Sequence, residues 1–145
     1  MRLTYHSDYA LRLLMMLAVE NDRLHTIEEI SNRYKLSRNH MMKVSHTLVA
    51  GGFLTPVRGR NGGLKLAMPP EDIILGKVIR VTEDNFNLVE CFDAARNKCV
   101  ISDKCGLRGP LELALKAFIE TLDQYTIKDL VKAPGSLGEL RQLFA

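Results

Sequence analysis

Three cysteines, Cys91, Cys99 and Cys105, are all the cysteines of this 145-residue chain, and they fall within fifteen consecutive residues. Thiols grouped in this way are redox centres, nucleophiles or soft metal ligands. An odd number, in a chain that reads as cytosolic, argues against a disulfide framework. The gaps of seven and five residues lack the short C-x2–4-C hooks of zinc knuckles, and no histidine lies near them. A structural zinc site is therefore disfavoured. Two further readings stay open: a thiol switch, with Lys98, Lys104 and Arg108 lowering a thiol pKa, and three inert buried cysteines. The favoured reading is an iron–sulfur cluster, whose usual ligands are thiolates. A four-iron cubane would leave one position open or filled by another group.

A second constellation is basic. Residues 1–65 hold 10 Lys and Arg against 5 Asp and Glu, and residues 66–145 hold 10 against 12. All four histidines lie in the basic part. Ser37, Arg38, Asn39, His40 and Lys43 sit at the start of one helical segment, where a recognition helix presents side chains to the major groove. Arg58, Arg60 and Asn61 stand among glycines in a turn, suited to phosphate contact or minor-groove insertion. Either cluster alone reads as solvated surface charge. Together, in this order, they point to double-stranded DNA.

The elements that position these residues follow from periodicity and caps. Ala10, Leu13, Leu14, Leu17 and Ala18 recur at helical spacing, with Ser7 as N-cap. Thr26 and Glu29 form a capping box for a short helix carrying Ile27, Ile30 and Tyr34. Ser37 caps a third helix, Arg38–Ala50, whose inner stripe is Met41, Val44 and Leu48, and Gly51-Gly52 ends it. Residues 53–57 and 64–67 read as an edge strand and its return. Helix, helix, helix, hairpin is the order of a winged helix-turn-helix, expected over residues 1–68. Residues 69–145 carry a linking helix to about Thr82, the cysteine loop (about 83–106), a long helix (about 107–125) and a tail opening at Ala133. The long helix spaces Leu111, Leu115, Phe118, Leu122 and Tyr125 as a two-heptad seam, suited to pairing with a second copy. The fold class expected is mainly α with a small β-hairpin.

Several function classes fall away. There is no Ser/His/Asp set, Walker loop or Rossmann glycine pattern, so no enzyme is expected. No apolar run is long enough for a membrane span. The opening twenty residues read as a cytosolic amphipathic helix, because Asp8 and Arg12 interrupt them and no cleavage site follows.

These residues also carry a resemblance. Leu3-Thr4-Tyr5 with Asp8-Tyr9-Ala10-Leu11-Arg12, the hairpin Gly52-Phe53-Leu54 to Val57-Arg58-Gly59-Arg60-Asn61-Gly62-Gly63, Pro70-Glu71-Asp72-Ile73 with Leu75-Gly76, and three loop cysteines are matching features. The chain resembles the Rrf2 family of bacterial transcription regulators over nearly its full length. Asn87-Leu88-Val89-Glu90-Cys91, Gly109-Pro110-Leu111 and Asp8 resemble its nitric-oxide-sensing branch. The resemblance implies a homodimeric repressor of a palindromic operator, with nitric oxide as its signal. It implies a [4Fe-4S] cluster in each subunit, held by Cys91, Cys99, Cys105 and Asp8 of the partner subunit. A [2Fe-2S] sensor of redox or iron–sulfur status is the alternative on the same scaffold, and a small redox or electron-transfer protein is a further one. The seven-residue first gap is longer than the usual family spacing. No histidine follows Cys105, which counts against the iron–sulfur-assembly branch.

Overall fold

The computed structural model describes residues 2–132 together with Glu139 and Gln142. The expected tail from Ala133 otherwise lies outside the described residues. Helix α1 spans Tyr5–Val19 and buries Ala10, Leu13, Leu14, Met16 and Leu17. Its cap is Thr4, whose hydroxyl accepts from the Ser7 amide at 3.3 Å. Ser7, the cap expected from sequence, is instead buried inside the first turn. It spends its hydroxyl on Thr82 Oγ1, at 2.8 Å, and on the Glu83 carboxylate.

Helix α2, Ile27–Tyr34, is capped by Thr26 as expected, and the left-handed Lys35 turns the chain out of it. Helix α3, Arg38–Ala50, is capped by Ser37 and buries Met41, Val44 and Leu48. Gly52, at φ 78°, releases the chain from α3 into the hairpin. Strands β1, Leu54–Val57, and β2, Gly63–Leu66, pair antiparallel with Leu54 opposite Leu66. Pro56 is tolerated because a two-stranded sheet has only edges. The turn needs Gly62, since a Cβ there would stand 2.3 Å from the Val57 carbonyl oxygen.

A 3-10 turn at Pro70–Asp72 leads to α4, Leu75–Thr82, which buries Leu75, Val78 and Ile79. Helix α5 runs over Arg108–Leu122 and α6 over Ile127–Lys132. The expected helix to Tyr125 stops three residues earlier. Two interactions end it: Arg80 draws the Asp123 carboxylate into a two-pronged pair at 2.6 Å, and the Tyr125 carbonyl accepts from Leu75 N at 2.9 Å. Ile127 N then donates to the Ile73 carbonyl at 2.9 Å, which seats α6 against α1.

One hydrophobic cluster unites both halves of the chain. Leu13, Leu14, Met41, Val44, Leu48, Phe53 and Leu64 share it with Ile73, Leu75, Val78 and Ile127. Each fully buried aliphatic contributes about 1.5–3 kcal/mol, enough in sum to fix the reading head as one body. Helix α5 is different, because none of its residues is buried. It leaves the core with Leu113 69% exposed and Leu111, Leu115 and Phe118 half-buried. Those three face Leu3, Phe86 and Leu88 across an open groove of about 860 Å³. No helix of the described residues is long and apolar enough to cross a membrane.

Candidate functional site

The reading face is built by α3 and the hairpin. Capping by Ser37 leaves the first turn of α3 projecting from the head, and Arg38, Asn39 and Lys43 are exposed there. Arg58, Arg60 and Asn61 are exposed at the hairpin tip. Arg38, Lys43, Arg58 and Arg60 take part in no ion pair among the described residues. By contrast Arg12, Arg23, Arg33, Arg80 and Arg108 are each held by a carboxylate. Unpaired cations on adjoining elements form an electrostatic footprint for a polyanion.

His40 is placed differently from its neighbours. It is half-buried, and its ring meets Tyr9 of α1 edge-on with centroids 5.0 Å apart. Arg12 lies 5.8 Å over the same Tyr9 ring. Arg12 also grips Asp8 with two nitrogens, at 2.9 and 2.6 Å. Asp8, one turn before Arg12, is therefore connected through Arg12 and Tyr9 to the start of α3. A second link joins the same helices, because His6 Nε2 hydrogen-bonds with Thr47 Oγ1 at 3.0 Å. Burial, with the nearby charge of His40, holds the His6 pKa below its ordinary value against the pull of Asp84 and Glu83.

The N-terminus of α1 is tied as firmly to the start of the cysteine loop. Thr4 donates to Glu83 from its amide at 2.8 Å and from its hydroxyl at 3.0 Å. Sequence reasoning missed Glu83, because one acid after a helix has no pattern to mark it. The loop itself contains two 3-10 turns, Glu90–Phe92 and Ser102–Lys104. Cys91 lies in the first, Cys105 follows the second, and Cys99 lies between them. All three are half-buried free thiols. Arg108 opens α5 beside them. Its pKa is raised first by Glu112, with smaller electrostatic contributions from Cys91 and Asp103.

The donor set fits an iron–sulfur group better than a single ion. Three thiols are soft ligands of one kind. One tetrahedral zinc would hold its sulfurs only about 3.8 Å apart. Among the described residues, the one trio of metal-capable groups lying within 4.8 Å of one another is Glu20, His25 and Glu29, not the cysteines.

That other trio lies at the junction of α1, α2 and β2, and its charges are already met. Arg23 and Arg33 each reach Glu20 at 2.6 Å, and both also hold Glu29. Burial would raise the Glu20 pKa, but the hydrogen bonds and charges of Arg33 and Arg23 outweigh it and hold it below the usual carboxylate range. The Arg23 hydrogen bond lowers that of Glu29. His25 at the centre is fully buried and bonds the Glu20 carbonyl through Nε2 at 2.8 Å. The cluster is an ion-pair knot under the wing, and it was not legible in the sequence.

Comparison with known proteins fixes the family. The Rrf2 family model, described as an iron-dependent transcriptional regulator, matches residues 3–133. The chain belongs to the Rrf2 family. It is 51% identical over 144 residues to the HTH-type transcriptional regulator NsrR of Bacillus subtilis, covering 99% of each chain. It is 48% identical over 141 residues to the protein of the same name from Bacillus licheniformis, covering 97% of this chain and 99% of that one. Among solved structures, the global cysteine regulator CymR of B. subtilis superposes with TM-score 0.73 at 25% identity, over 90% of this chain and 95% of that one. The T. potens IscR structure superposes with TM-score 0.74 at 23% identity, over 97% and 96%, and speaks for the fold. The winged helix-turn-helix expectation holds, and this Rrf2 chain is a transcriptional regulator rather than an enzyme.

Proposed function

We propose that this Rrf2 protein is a cytoplasmic homodimeric repressor that binds a palindromic DNA operator and releases it in response to nitric oxide. Cys91, Cys99 and Cys105, with the partner subunit's Asp8, would hold a [4Fe-4S] cluster in each subunit. When bound, that cluster supplies a centre that reacts with nitric oxide. The observation that carries the reading is a chain of three contacts starting at Asp8: its carboxylate is held by Arg12, which lies over Tyr9, which abuts His40 of α3.

The chain's own residues then do the following work. Arg38, Asn39 and Lys43 enter the major groove beside Ser37, with His40 seated between them and Tyr9, and there an arginine can pair with guanine and an asparagine with adenine. Arg58, Arg60 and Asn61 hold the flanking backbone or minor groove. Asp8 is shared between two demands. Engaged across the subunit boundary, it fixes one α1 relative to the other protomer. Disengaged, it returns fully to Arg12 and leaves the two reading heads free to change their separation. Half-sites lie about 34–36 Å apart along DNA, so a change of a few ångströms in that separation forfeits simultaneous binding.

The test is an operator titration of anaerobically purified, cluster-loaded protein before and after stoichiometric nitric oxide, repeated with Asp8→Ala. A loss of affinity of about a hundredfold, equivalent to about 2.7 kcal/mol, is expected for the unmodified chain. The variant should start from weaker binding and respond less. Unchanged affinity after nitric oxide overturns the sensor assignment. A full response in Asp8→Ala overturns the fourth ligand alone.

A further inference from the structure

The cysteine loop has almost no regular structure, yet a polar side chain spans its first gap, and others fix Cys99 and the start of the second. Glu90 precedes Cys91, and its Oε1 accepts from the backbone amide of Lys98 at 2.5 Å, drawing together the residues beside Cys91 and Cys99. Asn97 Oδ1 accepts from the amide of Cys99 itself at 3.0 Å. Asn97 Nδ2 donates to Ser102 Oγ at 2.7 Å, and Ser102 Oγ donates in turn to the Cys99 carbonyl at 2.9 Å. The Ser102 carbonyl receives the Cys105 amide at 3.5 Å. Both peptide groups of Cys99 are thus engaged by side chains of its own loop.

We propose that Glu90, Asn97 and Ser102 are positioning residues that mould the cysteine loop, so that its thiols are arranged to receive the cluster. The proposal rests on the assignment of the three cysteines as cluster ligands. Its physical basis is preorganisation. Fixing a loop costs backbone entropy for each residue ordered, and a ligand binds faster and tighter when that cost has been met beforehand. The network supplies directional bonds across the first gap and at the start of the second, where two short 3-10 turns alone would leave the span between them free. Short polar side chains suit this task because they bond to nearby backbone without needing a helix or sheet.

The experiment uses the full chain, stripped of iron and reduced under nitrogen. Iodoacetamide labelling of each thiol is followed by mass spectrometry. Rebuilding with equal amounts of ferrous and ferric iron and with sulfide, so that the electrons of a [4Fe-4S] cluster balance, is followed by visible absorbance. Glu90→Ala and Ser102→Ala should each speed labelling at Cys99 and slow rebuilding about five- to tenfold, the factor that one net hydrogen bond is worth. Glu90→Gln should stay near the unmodified chain, since its amide oxygen still accepts from Lys98 N. The thermal midpoint should not move, because the loop lies outside the core. Labelling and rebuilding rates in Glu90→Ala equal to those of the unmodified chain overturn the proposal. So does a Glu90→Gln variant as impaired as Glu90→Ala, which would make charge, not the bond, the cause. If the unmodified chain rebuilds no cluster, the ligand assignment falls, and labelling alone still decides whether the side chains mould the loop.

Discussion

Replacing Gly63 by alanine should unseat the wing from the body of the reading head. A Cβ at Gly63 would lie 2.8 Å from the His25 carbonyl oxygen, 3.0 Å from its carbon and 3.1 Å from its nitrogen. Those atoms have little room to yield. The His25 amide donates to the Leu64 carbonyl at 3.2 Å and the His25 carbonyl accepts from the Leu64 amide at 2.8 Å. The His25 ring is buried and bonded to the end of α1. Relief therefore requires β2 to move off, losing both backbone bonds at about 1 kcal/mol each. Partial uncovering of Leu64, now 7% exposed, adds up to about 1 kcal/mol. A loss of about 2–3 kcal/mol is a large part of a typical domain's stability. Urea unfolding should show it as a lower midpoint with unchanged slope. Operator affinity should fall by about tenfold or more, because Arg58 and Arg60 ride on the displaced hairpin. Gly62→Ala is the control. Its Cβ would strike the Val57 and Gly59 carbonyls inside the hairpin, so it harms the wing without touching His25. A Gly63→Ala variant with unaltered midpoint and unaltered operator affinity would refute the anchoring of the wing through His25.

Two further outcomes are expected. Arg58→Ala and Arg60→Ala, where the side chain neutralises a phosphate, should each reduce the slope of log K against log salt by about 0.9 per phosphate, hence about 1.8 for a dimer. Relaxed sequence preference at an unchanged slope would assign the residue to a base edge instead. Glu20 and Glu29 have folded pKa values held below their ordinary 4.5. Their contribution is therefore complete above about pH 4.5 and is lost as pH falls through the folded values. Urea unfolding between pH 3 and 7 should show that decline, and Glu29→Gln should flatten it. A variant whose acid sensitivity matches that of the unmodified chain would remove the ion-pair knot as its source.

The legible part of the fold was the part written locally. Thr26 and Ser37 announce their helices by side chains that reach only three residues ahead. The Met41, Val44 and Leu48 stripe declares its buried face by spacing alone. What escaped was written across long separations. Thr4 and Ser7 are both plausible caps by type, and the choice depends on Thr82 and Glu83, far along the chain. The end of α5 is set by Arg80, which lies 43 positions before Asp123. The Glu20, His25 and Glu29 knot needs the hairpin to fold back over the α1–α2 turn. The cysteines could be counted, but the side chains that bridge them could not be foreseen, because Glu90, Asn97 and Ser102 look like ordinary loop residues until their backbone partners are known.

Helix α5 meets the core only at its C-terminal end, through Leu122, and this has a mechanical consequence. At one end Asp123 is clamped to Arg80, and the Tyr125 and Ile127 backbone bonds follow directly. At the other end, Cys105 stands three residues before the helix begins. Fifteen residues make a rod of about 22 Å. A tilt of about 5° at the clamp sweeps the far end through about 2 Å, a geometric gain set by helical rise alone. A rod with a fixed fulcrum works in both directions. Small adjustments beside the head become large ones at the helix end next to Cys105, and a force applied there arrives multiplied at the clamp.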